Sequence, residues 1–304
     1  MMRAKGEMFT GCAVAMVTPF LHGEIDEDEL RDSVDWLIDQ GVSTLCPAGT
    51  TGESPTLTRR EHEQVIASVA DQAAGRALVL AGTGSSSTAE AVSLSRFAAR
   101  AGADGTLVVC PYYNRPSQEG LYAHYARVAE TADLPLVLYN VPARTGRNLE
   151  PETVERLARL GPVVAIKEAS GSLDQVSEIL LRTDLTVLSG DDSLTLPMLA
   201  VGASGVISVV ANLVPKDVIA LIDAFRIGAV DEARRGHASL FPLCRALMNL
   251  GPNPVPIKTA LMMTGRGNGE LRLPLTPLSD QDREALSVRL FRHGLRNASA
   301  GAIV

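Results

Sequence analysis

Short apolar runs alternate with amphipathic stretches along most of the chain. The runs at 13–18, 44–47, 78–82, 105–109, 136–139, 163–167, 186–189 and 205–208 are mainly aliphatic and partly β-branched. They are too short for buried helices, so each predicts a strand covered on both faces. Between and after them the spacing predicts helices over 26–40, 58–74, 88–101, 117–132, 151–160, 173–181, 194–201 and 215–227. Thr58 with Glu61 three residues on has the form of a capping box, and Pro151 suits the first turn of a helix. Eight strand-then-helix units with short linkers predict an α/β fold, a (β/α)8 TIM barrel, rather than an open doubly wound sheet. After Gly228 the strand pattern stops, and helical patterns over 230–250, 256–264 and 279–295 predict a three-helix C-terminal extension. The domain organisation therefore reads as a barrel over 9–228 and an extension over 229–304. The polar lead, residues 1–8, shows neither period and is set outside the fold.

Composition narrows the class of function. The net charge is −7 with no basic block, which argues against a nucleic-acid surface. No run of eighteen apolar residues occurs, and the apolar stretch at 12–17 is too short for a signal sequence, so a cytoplasmic protein is expected. Cys12, Cys46, Cys110 and Cys244 form no Cys-x-x-Cys pair, which points to a reducing compartment without structural zinc. His22, His62, His124, His237 and His293 show no ligand spacing, so no metal is expected.

In a barrel the chemistry sits where strands end and βα loops begin. The unusual residues of this chain fall at those points. Gly49-Thr50-Thr51-Gly52-Glu53-Ser54 follows the second strand, and Pro111-Tyr112-Tyr113-Asn114-Arg115-Pro116 follows the fourth. Tyr139-Asn140-Val141-Pro142-Ala143-Arg144-Thr145-Gly146 ends the fifth, Lys167 the sixth and Gly190-Asp191-Asp192 the seventh. Lys167 is the only lysine within a predicted strand, in a chain where just Lys5, Lys167, Lys216 and Lys258 are lysines among 28 lysines and arginines. It reads either as a nucleophile, whose neutral amine attacks a ketone to give a Schiff base, or as a strand-end residue that snorkels or pairs with a carboxylate. Gly49–Gly52 reads either as a nest of N–H groups and hydroxyls for a small carboxylate or as a connecting turn. Tyr139 suits proton transfer or a satisfied core hydroxyl, and Arg144 a carboxylate clamp or a solvated loop position. Convergence of all these strand ends on one mouth favours the chemical alternative for Lys167. Two glycine-rich stretches do not: Gly82-Thr83-Gly84 has Ser87 where a dinucleotide fingerprint needs glycine, and Gly265–Gly269 falls between helices of the extension.

With these residues in place, the chain resembles the dihydrodipicolinate synthase / N-acetylneuraminate lyase family of class I, pyruvate-dependent aldolases. The resemblance runs from Phe9-Thr10-Gly11 to about Leu295. It is carried by 49–54, 111–116, 139–146, Ile166-Lys167-Glu168-Ala169, 189–192, 205–209 and Pro252-Asn253-Pro254. It implies a Schiff base between Lys167 and pyruvate, with no separate cofactor or metal. It implies a proton relay of Tyr139, Thr50 and Tyr113, with Tyr113 reaching into the neighbouring subunit of a homotetramer built as a dimer of dimers. Thr51, Gly190 and the backbone near Ile207 are the implied pyruvate contacts. Arg144 is the implied partner for the carboxylate of L-aspartate-4-semialdehyde, in the branch of the family that serves lysine and diaminopimelate synthesis. Other members acting on 2-keto sugar acids or hydroxy-oxo acids, and a non-catalytic barrel, are the alternatives. The resemblance also places a regulatory pocket at Ser54, His62, Glu90 and Tyr112. Arg59 and Ser86 stand there where inhibited members often carry histidine and asparagine, so weak or absent inhibition by lysine is expected.

Overall fold

Each apolar run forms a strand because its aliphatic side chains are buried on both faces, and the strands close into a ring. In the computed structural model, which describes residues 5–131 and 133–295, the strands are β1 (Gly11–Ala15), β2 (Thr44–Cys46), β3 (Leu78–Gly82) and β4 (Gly105–Val109). They continue as β5 (Leu136–Asn140), β6 (Val163–Glu168), β7 (Thr186–Ser189) and β8 (Gly205–Ser208). All pairings in the ring are parallel, neighbours follow chain order, and β8 closes on β1 with Ala13 opposite Ile207. The expected (β/α)8 barrel is therefore what forms.

The return helices are α1 (Glu27–Asp39), α2 (Arg59–Ala73), α3 (Thr88–Arg100), α4 (Gln118–Ala129), α5 (Pro151–Ala158), α6 (Leu173–Arg182), α7 (Thr195–Val201) and α8 (Pro215–Arg226). Their starts follow the capping chemistry read from the sequence. Thr58 and Glu61 form the reciprocal capping box on α2, and Pro151 opens α5. The expected end of α4 at Ala132 lies outside the described residues. A two-stranded ribbon, Phe20–Leu21 with Glu24–Ile25, follows β1 and was not expected, because two-residue strands carry no readable period. A short helix, Pro142–Thr145, also precedes α5 in the loop after β5.

Alternation along the strands decides what each side chain faces. Ala13, Ala15, Cys46, Leu80, Leu107, Val137, Tyr139, Ala165, Leu188 and Ile207 pack together in the barrel interior. Their neighbours in sequence, such as Val14, Leu45, Leu138 and Ile166, pack outward under the helices. On β6, Lys167 accordingly shares the inner face with Ala165, while Glu168 shares the outer face with Ile166.

Residues 5–8 correct the expectation that the lead lies outside the fold; residues 1–4 are outside the described part. The Lys5 N–H donates to Asp184 O (2.8 Å), Lys5 O accepts from Thr186 N (3.0 Å), and Lys5 Nζ donates to Ala158 O (2.7 Å). This segment delivers Phe9, fully buried, into the interior. A Cβ on Gly105 would lie 2.7 Å from Phe9 Cζ, so glycine is required there. The barrel's lower end needs an apolar stopper, and burying one phenylalanine contributes roughly 1.5–3 kcal/mol.

The C-terminal helices are α9 (Val230–Asn249), α10 (Val255–Met263) and α11 (Asp280–Arg292). Leu240, Leu243, Leu247, Ile257, Leu286 and Leu290 belong to the same buried cluster as Val14 of β1, Leu30 of α1 and Leu221 of α8. These helices share the barrel's core rather than building one of their own. Their placement brings Met248 and Asn253 to the mouth at the C-terminal ends of the strands.

Candidate active site

One small cavity opens at that mouth. It has a volume of about 50 Å³, several times the space one water needs. Lys167, Tyr139, Thr50, Thr51, Arg144 and Gly190, six of the residues singled out from the sequence, line it together.

Lys167 is 5% exposed and lies opposite Tyr139 in the β5–β6 register. Its Nζ sits 4.4 Å from the centroid of the Tyr139 ring. Lys167 forms no ion pair or hydrogen bond among the described residues, so an ammonium there is held by the ring's quadrupole and by the longer-range attraction of Asp191 and Asp192. Neither do the hydroxyls of Tyr139 and Thr50, so all three groups keep their hydrogen-bonding capacity for a small molecule. Gly190 makes room for the lysine. A Cβ there would lie 2.6 Å from Ala169 Cβ and 3.2 Å from Lys167 Cε.

The 49–54 loop is fixed from several sides. Within it Gly52 N and Ser54 N donate to Gly49 O, and Glu53 N donates to Thr50 O (3.1 Å). Thr18 Oγ1 donates to Gly52 O (2.7 Å). Asn253 Nδ2 donates to Thr51 Oγ1 (3.0 Å) across 202 residues of sequence, while Asn253 Oδ1 is buried without a partner among the described residues. Glu53 turns inward from a left-handed backbone (φ 53°) and is fully buried against Lys258, whose Nζ also donates to Glu270 O (2.8 Å) and lies over the Phe20 ring. Burial pulls the Lys258 ammonium below its ordinary pKa, and Glu53 opposes that pull.

Opposite this loop, Arg144 is exposed on the short helix Pro142–Thr145, and its guanidinium has no hydrogen-bond or ion partner among the described residues. Two residues named from the sequence fall elsewhere. Tyr113 is 95% exposed, at φ 72°, in an open depression shared with Tyr112, Arg115 and Arg144. Ile207 is fully buried in the barrel interior; Val209, two residues on, lines the cavity in its stead.

Other lining residues were not anticipated. Asp191 and Asn253 stand in motifs noted in the sequence without a role, whereas Met248 gives no sequence signal and arrives by packing of α9. Cys46 lines the wall, and burial pushes its thiol up to about 12, which keeps it protonated and a poor rival nucleophile. Burial also raises Asp191 and Asp192. Asp192 accepts from Ser208 Oγ (2.5 Å), Val209 N (2.9 Å) and Val210 N (3.0 Å), and so sets the course of the chain beyond β8.

A second cleft, outside the barrel mouth, is lined by Ser54, Arg59, His62, Ser85, Glu90 and Tyr112 among others; Ser86 does not line it. His62 Nε2 donates to Gly82 O (2.7 Å), and burial holds its pKa below the usual value. Arg59 pairs with Glu63 (2.8 Å) and also donates to Ser93 Oγ.

Residues 8–292 match the model of the dihydrodipicolinate synthetase family. The 4-hydroxy-tetrahydrodipicolinate synthase of Pelobacter propionicus is 53% identical over 290 residues, which covers 95% of this chain and all of that protein. A crystal structure of dihydrodipicolinate synthase from Aquifex aeolicus superposes with a TM-score of 0.94 at 45% identity, covering 95% of this chain and all of that one. The enzyme from Cyanidioschyzon merolae with lysine bound matches with a TM-score of 0.92 at 40% identity, covering 95% of this chain and 99% of that one.

Proposed function

The chain belongs to the dihydrodipicolinate synthetase family, and from that premise we propose that it condenses pyruvate with L-aspartate-4-semialdehyde to 4-hydroxy-tetrahydrodipicolinate. The observation that carries the reading is the buried Lys167, without an ion pair or hydrogen bond among the described residues, in one cavity with Thr50, Thr51 and Tyr139, with Arg144 at its rim. Lys167 Nζ adds to the ketone carbon of pyruvate, and loss of water leaves an iminium. Loss of a methyl proton gives an enamine, which forms the new carbon–carbon bond with the aldehyde. Attack of the substrate's own amine on the iminium closes the ring and frees Lys167.

Tyr139 and Thr50 move the protons of these steps; both hydroxyls line the cavity without hydrogen-bond partners among the described residues. Thr51, Gly190 and the backbone from Ile207 to Val209 hold pyruvate. Asn253 supports this by fixing the Thr51 hydroxyl. Arg144 receives the carboxylate of the aldehyde, a role suited to a guanidinium without a partner among the described residues. Tyr113 serves a neighbouring subunit in a homotetramer, a reading supported by its exposure and by its lying outside the lining of the chain's own cavity. No metal or separate cofactor takes part, and the reaction belongs in the cytoplasm.

Borohydride reduction in the presence of pyruvate tests the covalent step. The peptide containing Lys167 should gain a pyruvate-derived mass, and an adduct on another lysine would overturn the mechanism. Lys167→Ala should lower turnover by roughly 10⁴-fold or more while the chain still folds, the scale expected when a nucleophile is lost. A coupled assay across several aldehydes tests the second substrate; faster turnover of a sugar-derived aldehyde would move the chain to another branch of the family. At the second cleft, Arg59 sets a cation where a lysine ligand would bring its own. Submillimolar L-lysine should therefore leave more than half the rate, and a halved rate would remove that argument.

A further inference from the structure

Behind the cavity, on the outer face of β5 and β6, lies a buried carboxylate that the chemistry above does not use. Glu168 is 2% exposed and pairs with no cation among the described residues. Its donors are neutral: Asn140 Nδ2 at 3.0 and 3.2 Å, Gln175 Nε2 at 3.0 Å and Ser170 N at 2.7 Å, with the Ser170 hydroxyl beside them. Burial without a cation raises its pKa, and these donors oppose the rise.

Two of those donors, Asn140 and Gln175, lead to one place. Asn140 ends β5 and begins the loop that carries Arg144. Its Oδ1 accepts from Leu149 N (2.9 Å), and its Nδ2 also donates to Asn148 Oδ1 (2.8 Å). Asn148 Nδ2 in turn donates to Gln175 Oε1 (2.8 Å). The start and the finish of the Arg144 loop are thus tied to each other, and both ties run through side chains that hold Glu168. The Asn140 amide has one possible orientation in this network. Its oxygen must face Leu149 N, so its NH₂ must find acceptors, and the carboxylate supplies them.

We infer that Glu168 is a positioning residue for the second substrate: its carboxylate sets the Asn140 amide, which closes the base of the 141–148 loop and so fixes where Arg144 stands. Lys167 faces the opposite side of β6, so this device acts on aldehyde binding and leaves pyruvate capture alone. The inference rests on the reading of Arg144 given above.

Glu168→Gln tests it, because the new NH₂ confronts the donors of Asn140 and Gln175. The KM for aspartate semialdehyde should rise roughly tenfold or more, as a displacement near 1 Å can cost up to about 10²-fold. Half-saturation of borohydride trapping by pyruvate should stay within twofold. Glu168→Gln combined with Asn140→Asp restores a donor–acceptor match and should recover part of the loss. If Glu168→Gln does not fold, Asn148→Ala cuts the far tie alone and should give a smaller rise of the same kind. An unchanged aldehyde KM in the folded variant overturns the inference, as does an equal rise for both substrates. Arg144→Ala is measured beside it. If that variant leaves the aldehyde KM unchanged, the reading of Arg144 has failed; if it raises KM while Glu168→Gln does not, only the inference has.

Discussion

Two loops face each other across the cavity, and they are held in place by different physics. The 49–54 loop, which presents Thr50 and Thr51, is held by charge and from far away in the sequence. Lys258 reaches Glu53 across 205 residues and Asn253 reaches Thr51 across 202. The 140–149 loop, which presents Arg144, is held by amides and from close by. Its longest tie to Glu168 spans 28 residues, within two adjacent βα units. The side proposed to hold pyruvate is therefore complete only when the C-terminal helices have docked on the barrel. The side proposed to take the aldehyde needs β5, β6 and α6, with Gln118 of α4 donating to Asn148 O (2.8 Å). This division lets one side vary without disturbing the other.

The charged arm is the easier to break. Lys258→Met leaves the Glu53 carboxylate buried without its ammonium, with the Arg272 N–H (3.2 Å) its remaining donor among the described residues, and should destabilise the chain by about 3–5 kcal/mol in urea unfolding. Part of that loss includes the contact of Lys258 with the Phe20 ring, which lies 4.2 Å from Nζ. Adding Glu53→Gln should return much of the stability, since the double variant buries no lone charge. Pyruvate half-saturation should nevertheless stay raised in the double variant, because the tie from α10 to Glu53 is gone, although Asn253 still links the extension to the Thr50-Thr51 loop. Strict additivity of the two substitutions would show that the pair does not act as a unit and would erase the contrast between the loops.

How much of this was readable beforehand follows the same division. The barrel was legible because its strands are apolar on both faces and its helices begin with standard caps, as at Thr58 and Pro151. Lys167, Tyr139, Thr50, Thr51, Arg144 and Gly190 were legible because strand ends in such a barrel converge on one mouth. Glu168 was quoted in a motif, yet its role was hidden: a carboxylate beside a lysine reads as its ion partner, whereas alternation on β6 sends the two to opposite faces. Lys258 and Glu53 were hidden for another reason. Nothing local links residues so far apart, and only docking of α10 brings them together. Phe9 was missed as a stopper because one aromatic residue after a polar lead has no period.

The smallest expected effect concerns acid, and its sign separates the two arms. Arg272 Nη2 donates to Glu61 (2.5 Å) and Nη1 to Thr56 O (3.2 Å), which braces the far end of the charged arm. The guanidinium beside Glu61 brings its carboxyl down to about 2 from 4.5. A carboxylate held low stabilises the fold above its unfolded value, and that contribution is lost as pH falls from about 4.5 towards about 2. Glu168 has the opposite sign. Its raised pKa means the folded chain binds that proton more readily than the unfolded one, so acidification favours the folded state at this group. Hydrogen exchange followed from pH 5 to pH 3, corrected for intrinsic rates, should show peptides over 49–61 opening before those over 140–149. The difference should be only roughly threefold, because water reaches the Glu61–Arg272 pair and screens it. Glu61→Gln should remove the pH dependence from the first segment and leave the second unchanged. If the 140–149 segment opens first, the amide arm is the weaker of the two, and the contrast drawn from the charges has the wrong sign.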